Sequence, residues 1–117
     1  MAIMRYVVLH HTGVGEAHFD VMFERAAGSA LTTFRVLCWP VRGRVAAKRL
    51  ADHRAAYLEY EGPVSGGRGE IQRVESGRCE IQNSGPNWTL ILGPAGGTVL
   101  RFEFEADDRF NLSAVEG

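Results

Sequence analysis

Two histidines and one aspartate near the start of the chain have the residue types and the spacing of a divalent-metal site. His18 and Asp20 stand two positions apart, and His11 precedes His18 by seven. Side chains two apart on a β-strand point to the same face, so this imidazole and carboxylate can meet one ion. Two imidazoles and a carboxylate leave coordination positions open for water or a phosphate oxygen. His10 would point to the opposite face, and we expect it to be structural or solvent-exposed.

The same residue types allow other interpretations. A His-x-Asp pair with a distant histidine is also the ligand set of mononuclear iron oxygenases. Such pairs arise often by chance, and a small β-domain without any site is the simplest alternative. Metal titration separates this last interpretation from the others. A spectral change that depends on oxygen and 2-oxoglutarate would identify the oxygenase.

A second group of candidate residues lies in a basic segment in the middle of the chain. Arg44 and Arg49 precede His53 there, and Tyr57 follows His53 by four positions. A histidine among arginines can donate a proton to a phosphate oxygen or stabilise developing charge. Tyr57 would orient His53 if the segment is helical. From these residues alone, a surface histidine beside a core tyrosine is the favoured interpretation.

A glycine-rich stretch, Ser65-Gly66-Gly67-Arg68-Gly69, follows this segment. The backbone N–H groups of such turns can cradle a phosphate. The stretch lacks the Lys-Ser/Thr ending of a P-loop, so it does not indicate nucleotide binding. An ordinary β-turn is the commoner structure for such a sequence.

Length and composition limit the classes of function. The chain has 117 residues, which predicts one domain over 1–117, and its net charge of −1 excludes a general polyanion binder. Nearly all its basic residues are arginine, which suits bidentate phosphate contacts, although a GC-rich genome would produce the same bias. Cys38 and Cys79 are spaced as neither a metal knuckle nor a redox pair, so we expect buried or half-buried free thiols. Without a long apolar run or a visible signal peptide, we expect a cytoplasmic protein with no membrane partner.

The elements that must position these residues are mostly β-strands. Short alternating or β-branched segments separated by glycine-rich turns predict a mainly β fold, a small closed or partly closed β-barrel with few short helices. We expect strands over residues 3–9, 18–24, 31–39, 70–74, 78–82, 88–92 and 98–105. Residues 40–54 are expected to form a loop and a short helical turn that Asp52 caps, and residues 107–117 an ordered edge at best.

Taken in order, these motifs resemble the 3'-phosphoesterase domain of bacterial DNA ligase D. That family has a histidine, then a Leu-His-Tyr-Asp-Phe-Arg-Leu-Glu strand, and later Asp-His-Pro, Tyr, Phe-Glu-Gly and a glycine-rich turn. The matching stretches run from residue 5 to about residue 82. They are His11, Ala17-His18-Phe19-Asp20-Val21-Met22-Phe23-Glu24, Asp52-His53, Tyr57, Tyr60-Glu61-Gly62 and Ser65 to Gly69.

The resemblance implies a compact β-barrel with a manganese-dependent active site that trims 3' ends during DNA repair. Such an enzyme removes a terminal ribonucleoside and then the 3'-phosphate. By this resemblance His11, His18 and Asp20 would hold Mn²⁺ or another divalent metal. His53 would contact the scissile phosphate, and Tyr57 would support the site. The implied partners are nucleic-acid 3' ends and separate ligase or polymerase repair proteins.

One departure from the family pattern bears directly on catalysis. Met22 stands where the family strand carries a phosphate-binding arginine. Arg44, Arg49 or Arg68 would have to supply the missing cation, and a second family arginine aligns equally well with Arg44 or Arg49. The resemblance therefore implies a manganese-dependent 3'-phosphoesterase-like protein. The alternative is a catalytically weak or inactive module that binds metal and nucleic-acid ends.

Overall fold

A computed structural model describes residues 3–93 and 97–116 of the chain. Within these residues the fold consists of antiparallel strands and one turn of 3₁₀ helix, and no helix is long and apolar enough to cross a membrane. The strands are β1 (Ile3–Thr12), β2 (His18–Glu24), β3 (Leu31–Val36), β4 (Gly43–His53), β5 (Gly62–Pro63), β6 (Glu70–Ser84), β7 (Asn87–Leu92), β8 (Val99–Ala106) and β9 (Arg109–Val115). The 3₁₀ helix covers Ala55–Leu58.

Hydrogen bonding between the strands closes into a ring. The order is β1-β2-β3-β4-β9-β8-β7-β6, and β6 pairs back onto β1. Two long strands make the closure possible because each serves two neighbours. β4 pairs with β9 through its first half and with β3 through its second, and β6 pairs in the same way with β1 and then β7. The prediction of a mainly β barrel is confirmed.

The barrel interior is filled by large apolar side chains from all eight strands of the ring. Three fully buried phenylalanines, Phe23, Phe34 and Phe102, lie at its centre, and the rings of Phe34 and Phe102 stack with centroids 4.1 Å apart. Fully burying a side chain of this kind stabilises the fold by about 1.5–3 kcal/mol relative to leaving it exposed. The interior is therefore a packed core, and chemistry has to take place elsewhere on the molecule.

A second, smaller apolar cluster lies on the outer face of β1, β2 and β3. Strand alternation explains it, since Val8 and Val21 point into the barrel while their neighbours Val7 and Met22 point out. Residues 54–69, which we call the covering segment, lie over this face, and their Leu58 joins the cluster. The wall between β1 and β2 is thus buried on both sides, and His11 and Asp20 on its outer face adjoin the covering segment.

Three predictions about the elements are wrong. Residues 43–53 form strand β4 and not a loop with a helical turn, because Val45 and Ala47 alternate into the core. Asp52 caps nothing and forms ion pairs with Arg25 at 2.8 Å and Arg49 at 3.6 Å. β6 runs without the break predicted at residues 75–77. The part of residues 107–117 that the structure describes includes β9, which lies between β4 and β8.

Both cysteines are free thiols, as predicted. Cys38 is exposed, so the expectation that both thiols are at least half-buried is wrong for it, whereas Cys79 lies in the barrel core. Burial raises the pKa of the Cys79 thiol to about 12, and the nearby Glu24 carboxylate adds to the effect. The position of Cys79 in the core and its protonated thiol are typical of a packing residue.

Candidate metal centre and adjoining cavities

The register between β1 and β2 brings the three predicted metal ligands together. His11 is paired directly with His18, and Asp20 is paired with Leu9, so the aspartate lies diagonally across from His11. All three side chains are on the outer face of the barrel, where the alternation placed them. One ligand atom from each lies within 4.8 Å of the others, so the group can hold a metal ion. His10 points the other way, and its ring stacks on Phe19 with centroids 4.5 Å apart.

Backbone carbonyls orient both histidines. His11 Nε2 donates to the carbonyl oxygen of Arg68 at 2.7 Å, and His18 Nδ1 donates to that of Glu16 at 3.1 Å. A carbonyl only accepts, so these two nitrogens carry the protons and the other two are left with lone pairs. Those are His11 Nδ1 and His18 Nε2, which lie 4.0 and 3.5 Å from Asp20 Oδ2. Metal-binding histidines are oriented in this way in proteins generally.

Unpartnered polar atoms are concentrated at this point of the fold. Among the described residues, four buried side-chain polar atoms have no hydrogen-bond partner, and three of them belong to His18, Asp20 and Arg35. Leaving such a group unsatisfied costs about 1–3 kcal/mol. A cation bound between His18 Nε2 and the Asp20 carboxylate would remove that cost. The residues therefore fit a metal, and two imidazoles with one carboxylate suit a transition ion such as Mn²⁺, Fe²⁺ or Zn²⁺ better than Ca²⁺.

A cavity of about 110 Å³ opens beside the ligands, between the barrel wall and the covering segment. Its polar lining consists of His11, Asp20, His53, Tyr57 and Arg68, and Met22 contributes to its apolar lining. Residues that are far apart in sequence thus meet around one space. With His18 next to it, the cavity gathers six of the eight predicted site residues.

His53 and Tyr57 form one wall of this cavity. His53 ends β4, and its Nδ1 donates to the carbonyl oxygen of Ala51 at 2.9 Å, which leaves Nε2 without that bond. Tyr57 lies in the 3₁₀ helix, and its ring meets the His53 imidazole edge-on with centroids 5.7 Å apart. The 3₁₀ helix includes Tyr57 but not His53, which belongs to β4, and the two side chains meet through their rings. The roles of both residues in catalysis stay predictions.

The three arginines predicted to bind phosphate have different positions. Arg68 lines the cavity and also holds His11 through its backbone carbonyl. Arg44 lies on β4 and forms an ion pair with Glu103 on β8 at 3.6 Å. Arg49 forms an ion pair with Asp52 and does not line the cavity. Of the three, only Arg68 is therefore brought to the site in this structure.

Arg35 is a site residue that the sequence reasoning missed. It lies on β3 directly opposite Asp20, and its Nε is 3.7 Å from Asp20 Oδ1. Its neighbours Phe34 and Val36 point into the barrel, so Arg35 points to the outer face with the metal ligands. A single charge in the otherwise uncharged strand Leu31–Val36 was the available signal.

Gly69 maintains the close approach between the glycine-rich turn and the end of β1. It has a positive φ of 84°, and a Cβ there would overlap the Thr12 carbonyl oxygen and lie 3.3 Å from His11 Nε2. We expect Gly69→Ala to lower the free energy of unfolding by about 2–4 kcal/mol, combining backbone strain with overpacking. It should also weaken metal binding about tenfold, because the His11 bond to Arg68 is displaced.

Gly67→Ala is the matched control for that substitution. Gly67 also has a positive φ, 68°, but a Cβ there meets nothing within 4 Å. Gly67→Ala should therefore lower the free energy of unfolding by the backbone strain alone, about 1–2 kcal/mol, and leave the metal affinity unchanged. Chemical denaturation and calorimetric metal titration measure the two quantities. Equal effects of the two substitutions on metal affinity would contradict the role assigned to Gly69.

Neither a protein-family model nor a curated protein matches this sequence. The resemblance to the ligase D phosphoesterase domain thus rests on the motifs themselves. The site adds an independent basis for inferring function. It combines a His-His-Asp group, in which His18 and Asp20 are buried and His11 is half-buried, with a cavity that carries a histidine, a tyrosine and an arginine.

Proposed function

We propose that the chain is a divalent-metal-dependent phosphoesterase that acts on 3' ends of nucleic acid and removes a 3'-phosphate or a 3'-ribonucleoside in DNA repair. The observation that carries the proposal is the geometry of His11, His18 and Asp20. Their free lone pairs converge at the wall of the cavity that His53 and Arg68 also line. Mn²⁺ is the expected metal because the motifs resemble a manganese-dependent family.

The chemistry of the proposed reaction assigns a role to each group. A divalent ion held by His11, His18 and Asp20 would polarise a phosphoryl oxygen and offset its negative charge. Hydrolysis of a 3'-phosphate joins a water oxygen to phosphorus, releases one proton of that water to a phosphate oxygen or to solvent, and breaks the bond from phosphorus to the 3' oxygen. The departing oxygen needs a proton, and His53 in its imidazolium form donates one from Nε2. Tyr57 holds the imidazole in place.

A second candidate function is binding of nucleic-acid 3' ends without turnover. Met22 is the observation that favours it. Its side chain is 2% exposed, lines the cavity and packs with Leu9 and Ile71. A methionine offers only a soft apolar contact where the family carries a phosphate-binding arginine. If no other cation replaces that arginine, the phosphate would bind without efficient cleavage.

One experiment tests the proposed function. The protein is incubated with Mn²⁺ and a labelled primer-template whose primer ends in a 3'-phosphate or in a single ribonucleotide. We expect conversion to the 3'-hydroxyl product or a shortened primer. EDTA and the His18→Ala variant should both abolish the conversion, because each removes the metal site.

The same substrates separate the two candidate functions. Fluorescence anisotropy compares primers that end in 3'-phosphate and 3'-hydroxyl, with Mn²⁺ present. Preference for the phosphorylated end without conversion would identify the binding module. Neither conversion nor any preference for the phosphorylated end would refute both.

A further inference from the structure

We propose that Arg35, with the cavity that it lines beside His18, binds the terminal phosphate of the substrate. Arg35 would supply the cation that Met22 does not. The proposal deepens the proposed function and rests on it for the identity of the substrate. It names a phosphate-binding residue at a position for which neither the motifs nor their spacing predicted one.

The backbone register places Arg35 at the metal ligands. β2 lies between β1 and β3, and Asp20 on β2 is paired with Arg35 on β3. The Nε of Arg35 is buried and has no hydrogen-bond partner, and it lies 3.7 Å from Asp20 Oδ1. The side chain as a whole is 39% exposed. Its inner end therefore lies beside the metal group while part of the side chain stays open to an incoming anion.

A second cavity, of about 330 Å³, lies at this side of the metal group. Arg35, His18 and His11 line it, and His11 also lines the smaller cavity beside His53. The metal group thus lies between two openings, with His53 at one and Arg35 at the other. A phosphate bound at the metal group would have the proton-donating His53 on one side and the cationic Arg35 on the other.

The remaining lining of this second cavity suits a nucleotide better than free phosphate. Val14 and Leu37 line it and are 43% and 60% exposed. They offer contact area to the sugar or base attached to the phosphate. Glu16 also lines the cavity and opposes an anion there. Glu16→Gln should therefore strengthen nucleotide binding modestly, since an exposed charge is largely screened.

The position of Arg35 leads to opposite effects on metal and on phosphate. Its guanidinium attracts the Asp20 carboxylate and would repel a divalent ion that binds there. Removing Arg35 should therefore strengthen metal binding. The same removal should weaken phosphate binding, because an arginine forms strong charge-assisted bonds to phosphate. A residue that only neutralises Asp20 to maintain the fold would instead lower both affinities together.

Two calorimetric titrations test the proposal without turnover. Thymidine 3'-monophosphate is titrated into the protein in EDTA, and Mn²⁺ is titrated into the protein separately. We expect Arg35→Met to weaken nucleotide binding about ten- to a hundredfold and to bind Mn²⁺ at least as tightly as the wild type. Arg101→Met removes the same charge from an exposed position on β8 and should change neither affinity.

Each outcome of these titrations decides the proposal. Unchanged nucleotide affinity in Arg35→Met, or loss of both affinities, would overturn it. If Arg35→Met does not fold, Arg35→Lys keeps the charge beside Asp20 and loses the bidentate fork. This variant should bind the nucleotide several-fold more weakly, and equal affinity would overturn the proposal.

Failure of the proposed function can be told apart from failure of this inference. Nucleotide binding that depends on Arg35, with no conversion of any 3' end, would support the phosphate site and refute the enzymatic activity. Conversion that is insensitive to Arg35→Met would support the activity and refute the phosphate site.

Discussion

Replacing His18 with alanine is expected to lower the affinity for Mn²⁺ by more than about a hundredfold. Removing a group that only hydrogen-bonds a metal ligand typically lowers the metal affinity about 10–100-fold, and removing the ligand itself lowers it further. His18 is 5% exposed. Among the described residues, the group that could hold the metal contains only His11 and Asp20 besides His18, so no further ligand is at hand to replace it. Calorimetric titration of Mn²⁺ into the two proteins measures the difference.

A neighbouring histidine offers the matched control. His10 lies on the same hairpin but stacks on Phe19 at the other face. His10→Ala should therefore bind Mn²⁺ as the wild type does. Thermal unfolding gives a second readout, because Mn²⁺ at a hundred times its Kd should stabilise the wild type by about 2.7 kcal/mol. Unchanged Mn²⁺ affinity and an unchanged thermal shift in His18→Ala would rule out the site.

His53→Ala is expected to reduce turnover of a 3'-phosphorylated primer by about a hundred- to ten-thousandfold, the usual contribution of a positioned acid or base. Its Mn²⁺ affinity should stay close to that of the wild type, because His53 is not part of the group whose ligand atoms converge. Turnover is measured at saturating Mn²⁺, so that the two effects are separated. A parallel loss of metal affinity would identify His53 as a ligand instead.

Tyr57 supplies the companion variants for that experiment. The contact between the two rings runs through the aromatic face and edge, 5.7 Å between centroids. Tyr57→Phe keeps that contact and should keep most of the turnover. Tyr57→Ala removes it and should approach His53→Ala in its effect. Equal turnover in the wild type, Tyr57→Phe and Tyr57→Ala would show that Tyr57 does not position the histidine.

The metal group could be predicted from the sequence because its geometry is local. Alternation along His18–Glu24 sets the faces, and a short connection returns β1 beside β2. Cross-strand pairing of His11 and His18 then follows from the antiparallel register of one hairpin. The barrel class was equally accessible, because glycine-rich turns between short apolar segments are a local signal as well.

The features that could not be predicted from the sequence depend on contacts between distant parts of the chain. β4 was mistaken for a loop because its outward side chains are polar and its pairing partners β3 and β9 lie elsewhere in the sequence. Arg35 was missed because only the pairing of β2 with β3 places it against Asp20. The orienting carbonyls of Glu16 and Arg68 were also out of reach, since a backbone oxygen leaves no trace in residue type.

The covering segment divides the genetic information for the site into two blocks. All three metal ligands are encoded between residues 11 and 20, while His53, Tyr57 and Arg68 are encoded between residues 53 and 68. An exchange of the second block would change the cavity wall that carries His53 and Tyr57, and it would also replace the Arg68 carbonyl to which His11 donates. Substitutions at His53 and Tyr57 can therefore alter that wall while the hairpin of ligands keeps its own sequence. Laboratory recombination of the whole block must instead preserve the backbone at Arg68 and Gly69 if metal binding is to be inherited.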